Sequence, residues 1–151
     1  MLDFIKAGKE HALLLFEWAN DGQVRRNAFH TEAISYDTHI KWLSSKLNDP
    51  DCQIFICKKD NDNVGQLRLE LDGETAVISY SIAEEHRGKG YGSEIIRQTE
   101  EIIGGLKPAQ NVKYLVGYVK PENIASQRCF EKNGFKKKVL QDRIEYSKKI
   151  R

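Results

Sequence analysis

The chain has 151 residues, a length that suits one domain with a hydrophobic core that needs no disulfide or metal to fold. Its 24 basic and 22 acidic residues give a net charge of +2, which offers no overall attraction for nucleic acid or an anionic membrane. Cys52, Cys57 and Cys129 form no C-x-x-C pair, which argues against a zinc site and a secreted disulfide framework. We therefore expect a single cytoplasmic domain over residues 1–151, with no metal.

The first third of the chain is predicted to contain one strand and two helices. Residues 2–7 are typical of a short strand, and residues 9–19 place apolar side chains on one helical face before a polar turn at 20–22. Residues 24–35 show no clear period and are predicted to be a loop or short turn. Ser35 is suited to cap a second helix. The apolar run in the first helix is too short for a signal peptide or a membrane span.

The middle of the chain is predicted to form three antiparallel strands, over residues 52–59, 64–72 and 75–83. Short polar turns separate them, and the leucines of the second strand alternate with polar residues, as in a sheet with one buried face.

The last third is predicted to alternate helices and strands. A helix follows a glycine-rich turn and ends at Gly104 and Gly105, and the remaining elements are a strand at 112–119, a helix at 123–133 and a terminal hairpin. The order β-α-α-β-β-β-α-β-α-β-β predicts an α/β (α+β) fold, a mixed sheet with helices on both faces.

The turn between the third predicted strand of the middle region and its helix, "RGKGYG", has the features of a phosphate site. Gly88, Gly90 and Gly92 let a ligand approach backbone N–H groups at the positive end of the helix dipole, and Arg87 and Lys89 add local charge. The alternative is a surface turn with solvated cations. The chain lacks a Walker loop, and no ribose-binding carboxylate follows at the distance that a dinucleotide fingerprint requires.

This turn resembles the cofactor loop of the GNAT N-acetyltransferase superfamily, which reads [QR]-x-x-G-x-[GA]. Arg87, Gly90 and Gly92 match its fixed positions. In that family the loop amides hold the pyrophosphate of acetyl-CoA.

A second segment, "VKPENIASQRCFEKNGF" at 119–135, resembles the later strand–helix–strand segment of the same superfamily. Asn123 and Ser126 match the positions that in relatives contact the pantetheine arm or lie beside it. The alternative is a purely structural helix with an asparagine N-cap and a glycine C-cap. Because both motifs occur in order on the expected elements, the chain is identified as similar to GNAT enzymes.

The resemblance implies a GNAT-like, mostly antiparallel central sheet of about six or seven strands. It also implies acetyl-CoA as co-substrate, no metal, and direct attack of a primary amine on the thioester in a ternary complex. A backbone N–H within residues 79–82 would polarise the thioester carbonyl. The implied cofactor-binding residues are Ile82, Arg87, Gly88, Lys89, Gly90, Tyr91, Gly92, Ser93, Asn123 and Ser126.

The chain departs from the family at the position that supplies the usual proton donor. Many relatives have a tyrosine seven residues after the motif asparagine, where this chain has Phe130, which we expect to be a packing residue. Cys129, Tyr118, Tyr80 or water could protonate the thiolate instead, although Cys129 also suits a small core position. The possible bases are Glu70, His30, His39, Glu32, Tyr118 and His86, and the catalytic candidates carried forward are Tyr80, Tyr118 and Glu70.

Residues 17–43 resemble the corresponding region of bacterial nucleotide-linked amino-sugar N-acetyltransferases. The resemblance implies that Trp18 or Trp42 packs against a sugar or base and that two arginines pair with a diphosphate. The alternative is that the tryptophans anchor the core and the arginines are surface cations. The implied acceptor-binding residues are Trp18, Arg25, Arg26 and His30.

Three functions therefore remain open from the sequence. The first is acetyl transfer to a small-molecule amine, a nucleotide-linked amino sugar above all. The second is the same reaction on a protein or peptide N-terminus, and the third is a non-catalytic acyl-CoA-binding module. A monomer and a homodimer are equally compatible with the charged terminal strand.

Overall fold

The computed structural model describes residues 1–151. The strands, numbered in chain order, are β1 Asp3–Lys6, β2 Cys52–Lys59, β3 Asp62–Asp72, β4 Thr75–Ile82, β5 Tyr114–Val119, β6 Lys136–Val139 and β7 Ile144–Lys149. The helices are α1 Ala12–Ala19, α2 Gly22–Asn27, α3 Tyr36–Leu47, α4 Tyr91–Gly104 and α5 Ile124–Lys132, and none is long and apolar enough to span a membrane.

The strands form one seven-stranded sheet in the order β1-β2-β3-β4-β5-β7-β6. All neighbouring strands are antiparallel except β4 and β5, which are parallel and are joined by α4. The predicted mixed, mostly antiparallel sheet is thus confirmed.

Helices cover both faces of the sheet, and β2 shows the division. Its Phe55 and Cys57 belong to a larger core that includes apolar residues of α4 and α5. Its Ile54 and Ile56 point the other way, as alternation in a strand requires, and pack in a smaller core with residues of α1 and α3. Strands buried on both faces explain the nearly continuous apolar run in this part of the sequence.

The prediction of a loop or short turn over residues 24–35 was wrong for its first part, because α2 occupies Gly22–Asn27. A six-residue helix is too short to show a period. The sequence signal for α2 is Asp21, which lies in the polar turn that ends α1, as predicted, and which also caps α2. The Asp21 carboxylate accepts hydrogen bonds from the N–H groups of Gln23 and Val24 at 3.0 and 3.1 Å.

Candidate active site

The parallel strands β4 and β5 separate at one end of the sheet. Their pairing stops at Ile78 and Gly117, although β4 continues to Ile82 and β5 to Val119. Beyond this point each strand stays paired only with its outer neighbour, β3 or β7. The divergence opens a gap in the middle of the sheet, and we call it the central gap.

Backbone N–H groups of β4 point into the central gap. The N–H of Ala83 donates to the carbonyl oxygen of Val64 in β3 at 2.8 Å, which fixes the alternation of the antiparallel ladder. Residues directed at β3 alternate with residues directed away from it, so Tyr80 and Ile82 direct their N–H groups at the gap. β5 no longer pairs with them there.

The glycine-rich turn lies between the end of β4 and α4. Gly88 and Gly90 have φ angles of +78° and +84°, a left-handed conformation that favours glycine, and no atom lies within 4 Å of where a Cβ would stand. A Cβ on Gly92, by contrast, would lie 3.1 Å from Tyr80 Cε2 and 3.2 Å from Cys129 Sγ. The turn is therefore open on its outer side and tightly packed where α4 begins.

The N-terminus of α4 lacks a side-chain cap. Gly90 is its N-cap and offers no acceptor, so the N–H groups of Tyr91, Gly92 and Ser93 have no partner within the helix. Lys89 is exposed beside them. Free N–H groups, the helix dipole and a nearby ammonium group together suit an anion such as a phosphate.

Arg87 does not share this open position. Its Nε donates to the carbonyl oxygen of Ile82 at 3.1 Å, and its Nη2 donates to Asp21 Oδ1 at 2.6 Å. Its Nη1 donates to Gln23 Oε1 at 3.3 Å. The guanidinium predicted to contact a phosphate is thus bound to the end of β4 and to α2.

Hydroxyl and thiol groups lie together beneath the start of α4. The phenol of Tyr80 donates to Ser126 Oγ at 2.9 Å, and the Ser126 N–H donates to Asn123 Oδ1 at 3.2 Å as part of the α5 N-cap. Burial, with a smaller contribution from Cys129, raises the pKa of Tyr80 far above its usual value. The phenol is therefore neutral and remains a proton donor.

Phe130 lies in the larger core, with 2% of its surface exposed. Its ring stacks on Tyr146 at a centroid distance of 5.3 Å and meets Phe135 edge-on at 5.1 Å. A Cβ on Gly117 would lie 2.2 Å from its Cζ atom, so the ring fills the space over the last paired residue of β5. This environment agrees with the expected packing residue.

Arg25, predicted to contact the acceptor, is occupied by backbone carbonyl groups. Its Nε donates to Ala19 at 2.7 Å, and its Nη1 donates to His30 at 2.8 Å and to Glu32 at 3.3 Å. The side chain therefore holds the segment after α2 against the end of α1.

The other predicted acceptor-binding residues differ in exposure. Arg26 and His30 are exposed, whereas Trp18 is half-buried against the smaller core. Trp42, the alternative aromatic residue, is 36% exposed. The Cζ atom of Arg68 lies over its ring, 5.1 Å from the ring centroid. The structure therefore leaves the side chains of Arg26 and His30 exposed, and Trp42 partly so.

Glu70 and Tyr118 lie outside the cluster around Tyr80. Glu70 is paired with Arg68 at 3.0 Å and with Lys46 at 3.6 Å, on a part of β3 where β4 and β5 are still joined. Tyr118 follows the opening in β5 and donates to Glu145 at 3.4 Å. Its pKa is raised by burial and by this carboxylate. Of the three catalytic candidates, Tyr80 alone is both beyond the opening and beside α4.

Two candidate bases have ring nitrogens without partners. His39 is 2% exposed between Phe16 and Trp42, its Nε2 has no hydrogen-bond partner, and burial lowers its pKa. Nδ1 of His86 is also buried without a hydrogen-bond partner. The centroid of the His86 ring lies 6.3 Å from that of Tyr91.

The sequence reasoning missed Asp21 and Lys120 as neighbours of the central gap. Asp21 binds Arg87 across 66 residues of sequence, and Lys120 Nζ donates to the carbonyl oxygen of Arg26 at 3.0 Å. No local pattern predicts such long-range pairs, although an aspartate before a glycine could have indicated the cap of α2.

A split pair of parallel strands with an open helix N-terminus beside it defines an α/β protein with a gap in the middle of its sheet. Residues 2–136 match the family model described as "Acetyltransferase (GNAT) domain", so the chain belongs to the GNAT acetyltransferase family. The predicted superfamily is thereby confirmed.

Among curated proteins, the chain is similar to the Bacillus subtilis (strain 168) protein named "Putative phosphinothricin acetyltransferase YwnH". The two are 27% identical over an alignment of 112 positions that covers 70% of this chain. The chain spans 65% of the length of that relative.

Solved structures share the fold over nearly the whole chain. Spermidine N-acetyltransferase from Vibrio cholerae, in complex with CoA and spermine, has a TM-score of 0.86 at 18% identity and covers 98% of this chain and 95% of its own. RimL, a ribosomal L7/L12 alpha-N-protein acetyltransferase with coenzyme A, scores 0.84 at 15% identity, covering 99% and 94%. Aminoglycoside acetyltransferase AAC(6')-Ib with coenzyme A scores 0.82 at 16% identity, covering 99% and 95%.

Proposed function

We propose that the chain is an acetyl-CoA-dependent N-acetyltransferase that acts on a primary amine in the central gap. The observation that carries the proposal is the uncapped N-terminus of α4, whose free N–H groups lie beside the split between β4 and β5. When bound, acetyl-CoA supplies a pyrophosphate for these donors and a thioester as the acetyl donor. Membership in the GNAT family supports the same reaction.

The residues of the turn suit a pyrophosphate. Gly88 and Gly90 leave the backbone open on the outer side, and Lys89 provides a free cation there. Arg87 supports the turn from behind, because its guanidinium is bound to β4 and α2. We keep the remaining cofactor-binding residues as proposed: Ile82, Gly88, Lys89, Gly90, Tyr91, Gly92, Ser93, Asn123 and Ser126.

The backbone of β4 is proposed to polarise the thioester. A neutral amine attacks the carbonyl carbon, a C–N bond forms, the C–S bond breaks, and the proton lost by the amine reaches the thiolate. The N–H groups of Tyr80 and Ile82, directed at the gap, would stabilise the charge that develops on the carbonyl oxygen. Holding both reactants in one gap supplies a further part of the acceleration.

Tyr80 is the proposed route for the proton. Its phenol is kept neutral by burial and donates a hydrogen bond to Ser126. Because burial also disfavours the phenolate, the phenol would donate to the thiolate in step with its own reprotonation by the amine proton, returned through solvent or Ser126. Glu70 is held in an ion-pair network, which leaves it less suited to act as a base.

For the acceptor we propose an amino sugar carried by a nucleotide. The support is the resemblance of residues 17–43 together with the exposed side chain of Arg26 and the partly exposed ring of Trp42, which suit a phosphate and a flat ring. Because Arg25 is already bound by three carbonyl groups, a diphosphate contact would fall to Arg26. A protein N-terminus is the second candidate, since RimL shares the fold.

The test measures acetyl-CoA binding by calorimetry and thiol release in the presence of four separate acceptors: a UDP-linked 4-amino-4,6-dideoxy sugar, a pool of peptides with free N-termini, spermidine and an aminoglycoside. We expect thiol release with the sugar nucleotide. Release only with another acceptor would overturn the sugar assignment and keep the enzyme class. Binding without release on any amine would favour a non-catalytic module, and a chain that does not bind acetyl-CoA would contradict the proposal.

A further inference from the structure

Helix α2 connects the two sides of the central gap. On the β4 side, Arg87 donates to Asp21 at 2.6 Å and to Gln23 at 3.3 Å. On the β5 side, Lys120 follows the strand directly and donates to the carbonyl oxygen of Arg26 at 3.0 Å. A short helix on the predicted acceptor side is thus bonded to the end of each diverging strand.

Asp21 is the centre of this connection. Its Oδ1 atom accepts hydrogen bonds from Arg87 and from the N–H groups of Gln23 and Val24. One oxygen therefore joins the start of α2 to residues 87–93, which we call the cofactor loop. Only 23% of the Arg87 side chain and 18% of the Asp21 side chain are exposed, which reduces screening of the pair by salt. Although burial opposes ionisation, hydrogen bonds from Arg87 and the helix amides keep the pKa of Asp21 below its usual value.

The segment that follows α2 is hydrogen-bonded to α2 and to the residue before its cap. Asn20 exchanges two hydrogen bonds with the backbone of Ile34, at 2.7 and 2.8 Å, and Arg25 binds the carbonyl groups of His30 and Glu32. Residues 20–34, which we call the acceptor-side segment, are therefore internally bonded and attached to the cofactor loop through Arg87. These hydrogen bonds connect the end of β4, through Arg87, Asp21 and Asn20, to Ile34 at the far end of the segment.

We propose that Arg87 is a positioning residue that couples occupation of the cofactor loop to the acceptor-side segment through Asp21. This inference rests on the proposed function, because it assumes that the loop binds acetyl-CoA. The guanidinium holds the carbonyl group of Ile82, at the end of β4, and the carboxylate that caps α2. Ordering of the loop by a ligand therefore orders α2, and by linkage an acceptor bound at α2 strengthens cofactor binding.

The test is amide hydrogen exchange of the full chain with and without acetyl-CoA, in the wild type and in two variants. Asp21→Asn keeps a good helix cap but removes the charge that Arg87 binds. Arg87→Gln introduces a residue that the loop pattern [QR]-x-x-G-x-[GA] accepts. The shorter glutamine side chain cannot reach both the Ile82 carbonyl group and the Asp21 carboxylate. The control is Arg97→Gln, which removes a guanidinium paired with Glu94 inside α4, at 2.5 Å, and bridges no two elements.

In the wild type and in Arg97→Gln, acetyl-CoA is expected to slow exchange both in the cofactor loop and in the acceptor-side segment, by about 5-fold or more. In Asp21→Asn and Arg87→Gln the slowing should persist in the loop and be lost in the acceptor-side segment. Because the readout is the change caused by the ligand, a general loss of stability does not imitate it. Once an acceptor is known, both variants should raise its KM more than they lower kcat.

Persistent protection of the acceptor-side segment in both variants would overturn the coupling, and so would a wild type protected only in the loop. In either case acetyl-CoA still binds, so the proposed function stands. A wild type that shows no acetyl-CoA binding by calorimetry would overturn the proposed function itself and the coupling with it.

Discussion

The two regions beside the central gap use their polar groups in opposite ways. In the cofactor loop, residues 87–93, glycines leave backbone N–H groups open and almost no side chain satisfies them. In the acceptor-side segment, residues 20–34, Asn20, Asp21 and Arg25 are all bound within the protein. The loop leaves its backbone donors unpaired, whereas the polar side chains of the segment are used in hydrogen bonds within the protein.

The difference explains why one region is recognisable in the sequence and the other is not. A backbone anion site requires glycine at defined positions, so its sequence is restricted and forms a motif. A wall held by internal hydrogen bonds can be built from many sequences, and its exposed residues are then free to suit one acceptor. The largest predicted effect concerns Phe130 in the larger core, and the smallest concerns the Asp21–Arg87 pair that joins the two regions.

Replacing Phe130 tests how far the larger core depends on this ring. Phe130→Ala should lower the free energy of unfolding by about 3–5 kcal/mol, because the ring packs fully in the larger core and leaves a cavity. Urea denaturation measures the loss. Val139→Ala, at an exposed position of β6, is the control and should change stability by less than about 0.5 kcal/mol.

Phe130→Tyr separates packing from proton supply at the same position. We expect no gain in turnover, because the ring is enclosed by Tyr146 and Phe135 and the proton route is assigned to Tyr80. A large gain in kcat would instead show that proton supply limits the native enzyme, and would remove Tyr80 from that role.

The neighbouring arginines of α2 test whether the acceptor-side segment is held from within. Arg25→Ala should lower the free energy of unfolding by about 2 kcal/mol, since three carbonyl groups lose a charged donor. Arg26→Ala removes an exposed side chain and should change stability by less than about 0.5 kcal/mol. Thermal unfolding compares the two directly.

The kinetic effects of the same variants bear on the acceptor. If Arg26 binds a diphosphate, Arg26→Ala should raise the acceptor KM and leave the KM for acetyl-CoA unchanged. Arg25→Ala should also raise the acceptor KM far more than that for acetyl-CoA, because the segment loosens. An acceptor KM that neither variant changes would contradict the sugar-nucleotide assignment and favour a peptide.

The fold was predictable from the sequence to the extent that it rests on periodic patterns. Apolar and polar residues alternate around Leu67 in β3, and α4 has one apolar face; these patterns predicted the mixed sheet. Helix α2 was missed because six residues are too few to show a period. The glycine-rich turn was predictable because the backbone conformation at position 90 favours glycine and so restricts the sequence there. The roles of Arg87 and Arg25 were not, since a guanidinium looks the same in sequence whether it binds a ligand or a distant carbonyl group.

Paired glycine variants test whether the open side of the loop is used for binding. Gly90 and Gly73 both have positive φ angles, +84° and +60°, and open space at the Cβ position, but Gly73 lies in the turn between β3 and β4. Alanine at either site should cost about 1–2 kcal/mol of stability through backbone strain. Gly90→Ala alone should weaken acetyl-CoA binding, by about tenfold or more in calorimetry. Equal affinities in the two variants would place the ligand elsewhere.

The smallest effect is the pH dependence of the pair that joins the two regions. Because the pKa of Asp21 is lower in the folded chain than its usual value, its contribution is present above the ordinary aspartate range and is lost as the pH falls through the folded pKa. The wild type should exceed Asp21→Asn in stability by about 1 kcal/mol or less between about pH 5 and pH 7, and the difference should vanish in acid. Thermal unfolding of both proteins across this range measures it. A difference that grows as the pH falls would mean that Asp21 is protonated in the native state, and the cofactor loop and the acceptor-side segment would then not be joined by an ion pair.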